Sequence, residues 1–194
     1  MSMNRREALK RATLLMGGAV FAPTALGVLN GCRARPGLDW EPEFFSERQA
    51  QLVTALAEII LPADDDSPGA AELGVPAFIE EMIYKVHGDD SREGFMEGLD
   101  MFNAQSEEQL GSEFLDLNSE EQLAFAEEQN KEMIESDDPE PTEVVYFFRT
   151  MKELTITGYF TTEVGATEVL RHEAVPGYYE GCIPFEEVGK TWAV

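Results

Sequence analysis

The stretch Val144-Val-Tyr-Phe-Phe-Arg-Thr-Met-Lys-Glu-Leu154 sets Val144, Val145, Phe147, Phe148, Met151 and Leu154 at intervals of one, three and four residues. That spacing puts them on one side of a 3.6-residue helix and makes an apolar face wide enough to be a core element. Asp137-Asp-Pro-Glu-Pro141 breaks the chain before it, and Gly158 is expected to close it.

Working outward, the same periodicity recurs and strict alternation does not. Ser46-Glu-Arg-Gln49 fits a capping box, in which the Ser hydroxyl and Gln amide satisfy orphan amides. Leu52, Val53, Leu56, Ile59 and Ile60 then predict a helix over 47–61, stopped by Pro62. Pro76 suits the first turn of a second helix carrying Phe78, Ile79, Met82, Ile83 and Val86, ended by Gly88. A third helix is expected over 91–109 with Phe95, Leu99 and Phe102 inward, and a fourth from Asn118 or Ser119 to about Glu135. A short helix is expected from Thr162 to Arg171. The fold class is therefore all-α, an irregular helical bundle.

Beyond residue 173 the texture changes. Ala174-Val-Pro-Gly-Tyr-Tyr-Glu-Gly-Cys-Ile-Pro-Phe185 has no helical period, and Trp192 nearly ends the chain. This reads as an extended C-terminal arm rich in aromatic, Pro and Gly residues. It either packs back across the bundle or lies on a partner, for which Tyr and Trp make good anchors.

The first 32 residues are of another kind. Arg5-Arg6 precede an apolar stretch from Ala12 to Leu29, interrupted by Gly17-Gly18 and Pro23. A paired arginine ahead of a moderately apolar stretch reads as a twin-arginine export signal, an address read by a receptor. An ordinary secretory signal or a membrane anchor is the alternative reading. Leu29-Asn-Gly-Cys32 has the form of a lipoprotein cleavage box, which would make Cys32 the lipidated first residue of a mature chain tethered to a membrane. The expected organisation is signal 1–32, linker 33–45 and one helical domain 46–194, in a periplasmic location.

Charge is lopsided: the chain carries 38 acidic against 14 basic residues, a formal net charge of −24. Four of those basic residues and one acidic residue precede residue 33, so the remainder is more acidic still. Such a surface repels nucleic acid and anionic membrane faces. Cys182 is left with three readings: a buried thiol, a bond to another chain, or a bridge to Cys32.

No catalytic constellation is legible. There is no glycine-rich phosphate loop, no Cys-x-x-Cys-His and no cysteine cluster, and His87 and His172 stand alone. The triplet Asp64-Asp-Asp66 lacks the alternate ligand spacing of a calcium loop and reads as a solvated turn. Neither a catalytic residue nor a cofactor or metal site is expected in this chain.

Ile60-Leu-Pro62, Pro68-Gly-Ala-Ala-Glu-Leu-Gly-Val-Pro-Ala-Phe-Ile79, Phe147-Phe148 leading to Leu154-Thr-Ile-Thr-Gly-Tyr-Phe-Thr-Thr-Glu-Val-Gly165, and Val175-Pro-Gly-Tyr-Tyr-Glu-Gly-Cys182 occur in that order. As an ordered set, covering roughly 46–185, they resemble the gluconate 2-dehydrogenase subunit 3 family. The resemblance implies a non-catalytic small subunit that binds a flavin-dependent dehydrogenase of the glucose–methanol–choline type. It would supply the export signal for that larger chain, which carries the FAD; a cytochrome c subunit is a further implied partner. On this reading the contact surface is expected at the Gly158–Gly165 turn with Tyr159 and Phe160, and at the arm with Pro176, Tyr178, Tyr179, Phe185 and Trp192. Cys182 then lies within reach of a partner thiol. The rival reading is a stand-alone acidic periplasmic lipoprotein serving as a binding or scaffolding module.

Overall fold

The computed structural model describes residues 38–136, 141–175, 177 and 182–193. The architecture is all-α. Helix α1 spans Glu47–Ile60, α2 Val75–Glu81, α3 Asp89–Leu110, α4 Ser119–Glu135, α5 Glu143–Thr161 and α6 Phe185–Val188. A 3₁₀ turn at Phe114–Asp116 leads into α4, and π turns at Met82–Val86 and Gly165–Val169 follow α2 and α5.

Local chemistry sets these boundaries. At α1, Ser46 accepts from the Gln49 amide while the Gln49 side chain accepts from the Ser46 amide at 3.0 Å, the reciprocal cap expected from sequence. Of the two starts expected for α4, Asn118 is the cap, its side chain accepting from the Glu120 and Glu121 amides while the Glu121 carboxylate accepts from the Asn118 amide. Thr142 caps α5, and Gly111, at φ 76°, ends α3 in the left-handed conformation that glycine adopts without strain.

Helix α5 is the central element, with Val144, Val145, Phe147, Phe148, Met151 and Leu154 all buried. Around it the core is largely aromatic. Phe147 lies 5.0 Å from Phe95 and 5.4 Å from Phe102, and Phe102 lies 5.1 Å from Phe114 and 5.0 Å from Phe125. These tilted and edge-on pairs add about 0.5–1.5 kcal/mol each beyond the area they bury. Since Phe95, Phe102, Phe114, Phe125 and Phe147 come from α3, the 3₁₀ turn, α4 and α5, the cluster ties separate elements into one core.

Two glycines set helix separations. A Cβ on Gly98 of α3 would sit 2.6 Å from the Phe147 Cβ and closer still to the Glu143 carbonyl oxygen, both fixed to the backbone of α5. Gly98→Ala gains about 1 kcal/mol of helix propensity, but overpacking of this kind costs about 3 kcal/mol. The variant is expected to lose roughly 2 kcal/mol in denaturant unfolding; unchanged or raised stability would show that α3 and α5 can part cheaply. Gly158 is a correction to the sequence reading. It lies inside α5, which continues to Thr161, because at this point the helix passes close to α2: a Cβ there would meet the Phe78 ring at 2.6 Å.

Val86 is a second correction. The sequence reading put it on the inner face of the second helix, yet it is exposed. His87 donates its amide to the Met82 carbonyl five residues back, the π pattern, and the wider turn displaces Val86 from the face that buries Ile79 and Ile83.

Residues 38–45, read from sequence as polar linker, pack on the bundle. Phe45 is buried, Phe44 stacks on Tyr84 at 4.5 Å, and the Glu80 carboxylate accepts from the amides of Glu43, Phe44 and Phe45.

Candidate interaction surface

The sequence after α5 is folded by short-range hydrogen bonds. The Thr162 hydroxyl accepts from the Gly165 amide at 3.0 Å. A side chain at 165 would collide with the Tyr159 carbonyl, so the chain turns here only because residue 165 has no Cβ. The π turn then delivers Arg171 to the C-terminal segment. Its amide donates to the Thr191 carbonyl at 2.8 Å and its carbonyl accepts from the Ala193 amide at 2.9 Å, an isolated parallel bridge with Trp192. The Arg171 guanidinium lies 4.4 Å from the centre of the Trp192 ring and donates to the Val188 carbonyl at 3.2 Å. Lys190 adds a bond to the Glu168 carbonyl. Cation–π attraction of this kind contributes about 0.5–1 kcal/mol at exposed sites. Together these contacts staple the end of the chain to residues 168–171.

Between the staple points exposed apolar side chains alternate with the exposed His172, Glu173, Glu186 and Glu187. Val175, Ile183 and Phe185 are exposed, Phe185 at 63%, and Phe185 opens the short α6 that Gly189 closes at φ 80°. Cys182 is an exposed free thiol, so the buried-thiol reading of the sequence does not hold. Phe160 is half-buried and Trp192 is partly covered by Arg171. Tyr159, in contrast, faces inward: it is 3% exposed and its hydroxyl donates to the Pro68 carbonyl at 2.8 Å, pinning the 62–69 loop to α5. Pro176, Tyr178 and Tyr179, like Arg5, Arg6 and Cys32, lie outside the described residues. The structure thus brings Phe185 and Trp192 to one C-terminal segment with Cys182, and puts Tyr159 to structural use.

The acidic loop has its own internal chemistry. The Asp64 carboxylate accepts from the Asp66 amide at 2.9 Å and from the Ser67 amide at 2.7 Å, and from the Ser67 hydroxyl. The Asp66 amide first, then Ser67, holds this carboxyl below its ordinary range. A depressed carboxyl of this sort stabilises the turn above the ordinary carboxylate range, and the effect is lost as pH falls through the lowered value. Across the molecule, Arg48 is ion-paired with Glu113 and, at 2.9 Å, with Asp116, which raises its pKa, Glu113 contributing most. This pair joins α1 to the 3₁₀ turn at the surface. Among the described residues no group of three His, Cys, Asp or Glu side chains is placed to hold a metal ion, and no helix is long and apolar enough to cross a membrane.

The described residues form a small helical bundle built around α5, with a C-terminal segment stapled to residues 168–171. Its family is specific: the chain belongs to the gluconate 2-dehydrogenase subunit 3 family, whose model matches residues 47–177. It is therefore of the kind of chain that serves as a subunit of a dehydrogenase complex. No curated protein and no solved structure matches it.

Proposed function

We propose that this chain is the non-catalytic small subunit of a flavin-dependent dehydrogenase of sugars, sugar acids or related alcohols. It binds a large subunit of the glucose–methanol–choline type, which holds the FAD, and carries it out of the cytoplasm by the twin-arginine route. The observation that carries the reading is the family match over residues 47–177. The paired Arg5-Arg6 supports the export part, because that route takes folded cargo and a flavoprotein must fold around its cofactor before it leaves. Electrons pass on to a cytochrome c subunit or another acceptor, and Leu29–Cys32 tethers the assembly to a membrane through lipid on Cys32.

The partner contact runs along the C-terminal segment. Phe160, Phe185 and Trp192 serve as anchors, with Pro176, Tyr178 and Tyr179 between them, and the exposed Cys182 thiol is available for an intersubunit disulfide. That bond would form after export, where two thiols give up two electrons and two protons to the oxidant of the compartment.

The test is purification of the mature chain from its host in mild detergent, followed by an absorption spectrum and a non-reducing gel. A stoichiometric larger chain with flavin bands is expected, and Cys182→Ser is expected to abolish any reductant-sensitive joint band. A lone, colourless small chain would overturn the subunit role in favour of a scaffolding lipoprotein; a complex whose chains run apart without reductant would remove the disulfide alone.

A further inference from the structure

Most of the surface carboxylates take no part in the contacts described above. From residue 33 on, ten basic residues face 37 acidic ones. Ion pairs among the described residues engage Glu43, Glu81, Asp89, Glu113, Asp116 and Glu135. Three further basic side chains are used for something other than an acid. Lys152 donates to the Asn130 side chain at 2.6 Å, Arg171 covers the Trp192 ring, and Lys190 donates to the Glu168 carbonyl.

Placement adds to the imbalance. On α3 the exposed Glu93 and Glu97 stand four residues apart, and on α4 the exposed Glu128 and Glu132 repeat that spacing. Like charges at this interval are neighbours on the helix surface and repel. Glu107 and Glu108 occupy the last turn of α3, and Glu132 and Glu135 that of α4, where the negative end of the helix dipole opposes a carboxylate. None of α1 to α6 has a basic residue in its last turn.

The spread of these acids selects what neutralises them. Every helix carries one at an exposed position: Glu47 on α1, Glu81 on α2, Glu97 on α3, Glu128 on α4, Glu153 on α5 and Glu186 on α6. A basic protein partner covers about a tenth of a small protein's surface and leaves the other faces charged. Dissolved cations reach all of them. We infer that this bundle is built for a salt-rich medium, in which a diffuse atmosphere of monovalent cations screens a self-repulsion that loosens the helices in dilute buffer. This concerns the isolated chain and does not rest on the proposed function.

The test is thermal unfolding of the full chain, followed by far-ultraviolet circular dichroism, as KCl rises from about 0.02 to about 1 M, a range that shortens the reach of a charge severalfold. The melting temperature is expected to rise by about 10 °C across that range. A chain without helix in dilute buffer that gains it on addition of KCl is the same result in stronger form. The double variant Glu108→Lys, Glu132→Lys reverses two exposed charges at helix ends. It is expected to melt roughly 3 °C above wild type at low salt and to gain less from KCl. Salt also strengthens apolar burial, and the variant separates that effect from screening. Equal gains for wild type and variant would show that KCl acts on the core and would overturn the inference. A melting temperature that stays level or falls as KCl rises would overturn it too. If in that case an added basic protein raises the melting temperature instead, the acids answer a partner and not the medium.

Discussion

Replacing Arg5 and Arg6 together by lysine is expected, on the proposed function, to leave both this chain and the flavoprotein it is proposed to carry in the cytoplasm. The substitution keeps both positive charges, which is what makes it informative. An ordinary secretory signal needs positive charge ahead of its apolar stretch, and a lysine pair supplies that as well as an arginine pair does. A receptor that reads the paired arginines as an address recognises planar, multiply donating guanidinium groups, which the point charge of an ammonium does not reproduce. Fractionation of the host, with the small chain followed by immunoblot and the large one by flavin absorbance and dye-linked activity, separates the cases. Loss of both chains from the exported fraction is the expected result. Export of the small chain with the large chain left behind would show a signal without a passenger. Normal export of both would refute the carrier role and return Arg5-Arg6 to the status of a basic leader.

The parts of this fold that were legible in the sequence are those fixed by neighbours a few residues apart. Helix α5 could be read from Val144 to Leu154 because its apolar period and the prolines before it are local signals, and the cap at Ser46 and Gln49 is a three-residue pattern. What failed depended on distant partners or on a local change that composition does not record. A glycine can end a helix or let another helix come close, and only the Phe78 ring, eighty residues earlier in sequence, makes Gly158 the second kind. The single extra residue of the π turn at Met82–Val86 leaves no compositional mark, so Val86 was placed on the wrong side. The candidate surface was half legible. An arm rich in aromatics announces itself by composition, but the staple of Arg171 on Trp192 joins residues 21 apart with no period between them. In α4, Leu123 and Phe125 are two residues apart on opposite sides of the helix, and sequence does not say which of the two faces water.

The Glu80 contact is the most consequential of these distant pairings. Glu80→Gln is expected to destabilise the chain by about 2 kcal/mol, and Glu80→Ala by about 3. The carboxylate is 3% exposed, with Oε1 accepting from the amides of Phe45 at 2.6 Å and Phe44 at 2.9 Å, and Oε2 from Glu43 at 3.0 Å. Three successive N–H groups converging on one anion form a nest, here filled by the chain itself. Hydrogen bonds to a charged group contribute about 1.5–3 kcal/mol each before desolvation of the carboxylate is set against them. A glutamine keeps the shape and one acceptor oxygen, but its NH₂ group must then face an N–H, two donors with nothing between them. The loss has a ceiling, because residues 38–45 can lift off and rehydrate their amides while the bundle stays folded. That detachment uncovers Phe45, which sits 6.3 Å from Phe95, and exposing such a ring costs about 2 kcal/mol. Chymotrypsin should therefore cut faster at Trp40 and Phe44 in Glu80→Gln than in wild type, alongside the lowered melting temperature. Glu81→Gln is the control: its carboxylate is largely exposed and pairs with Lys85 at 3.1 Å, an ion pair that contributes at most about 1 kcal/mol. Equal melting temperatures and equal cleavage rates for the two glutamine variants would mean that the Glu80 nest does not hold the N-terminal segment on the bundle, and that Phe45 and Phe44 do so by packing alone.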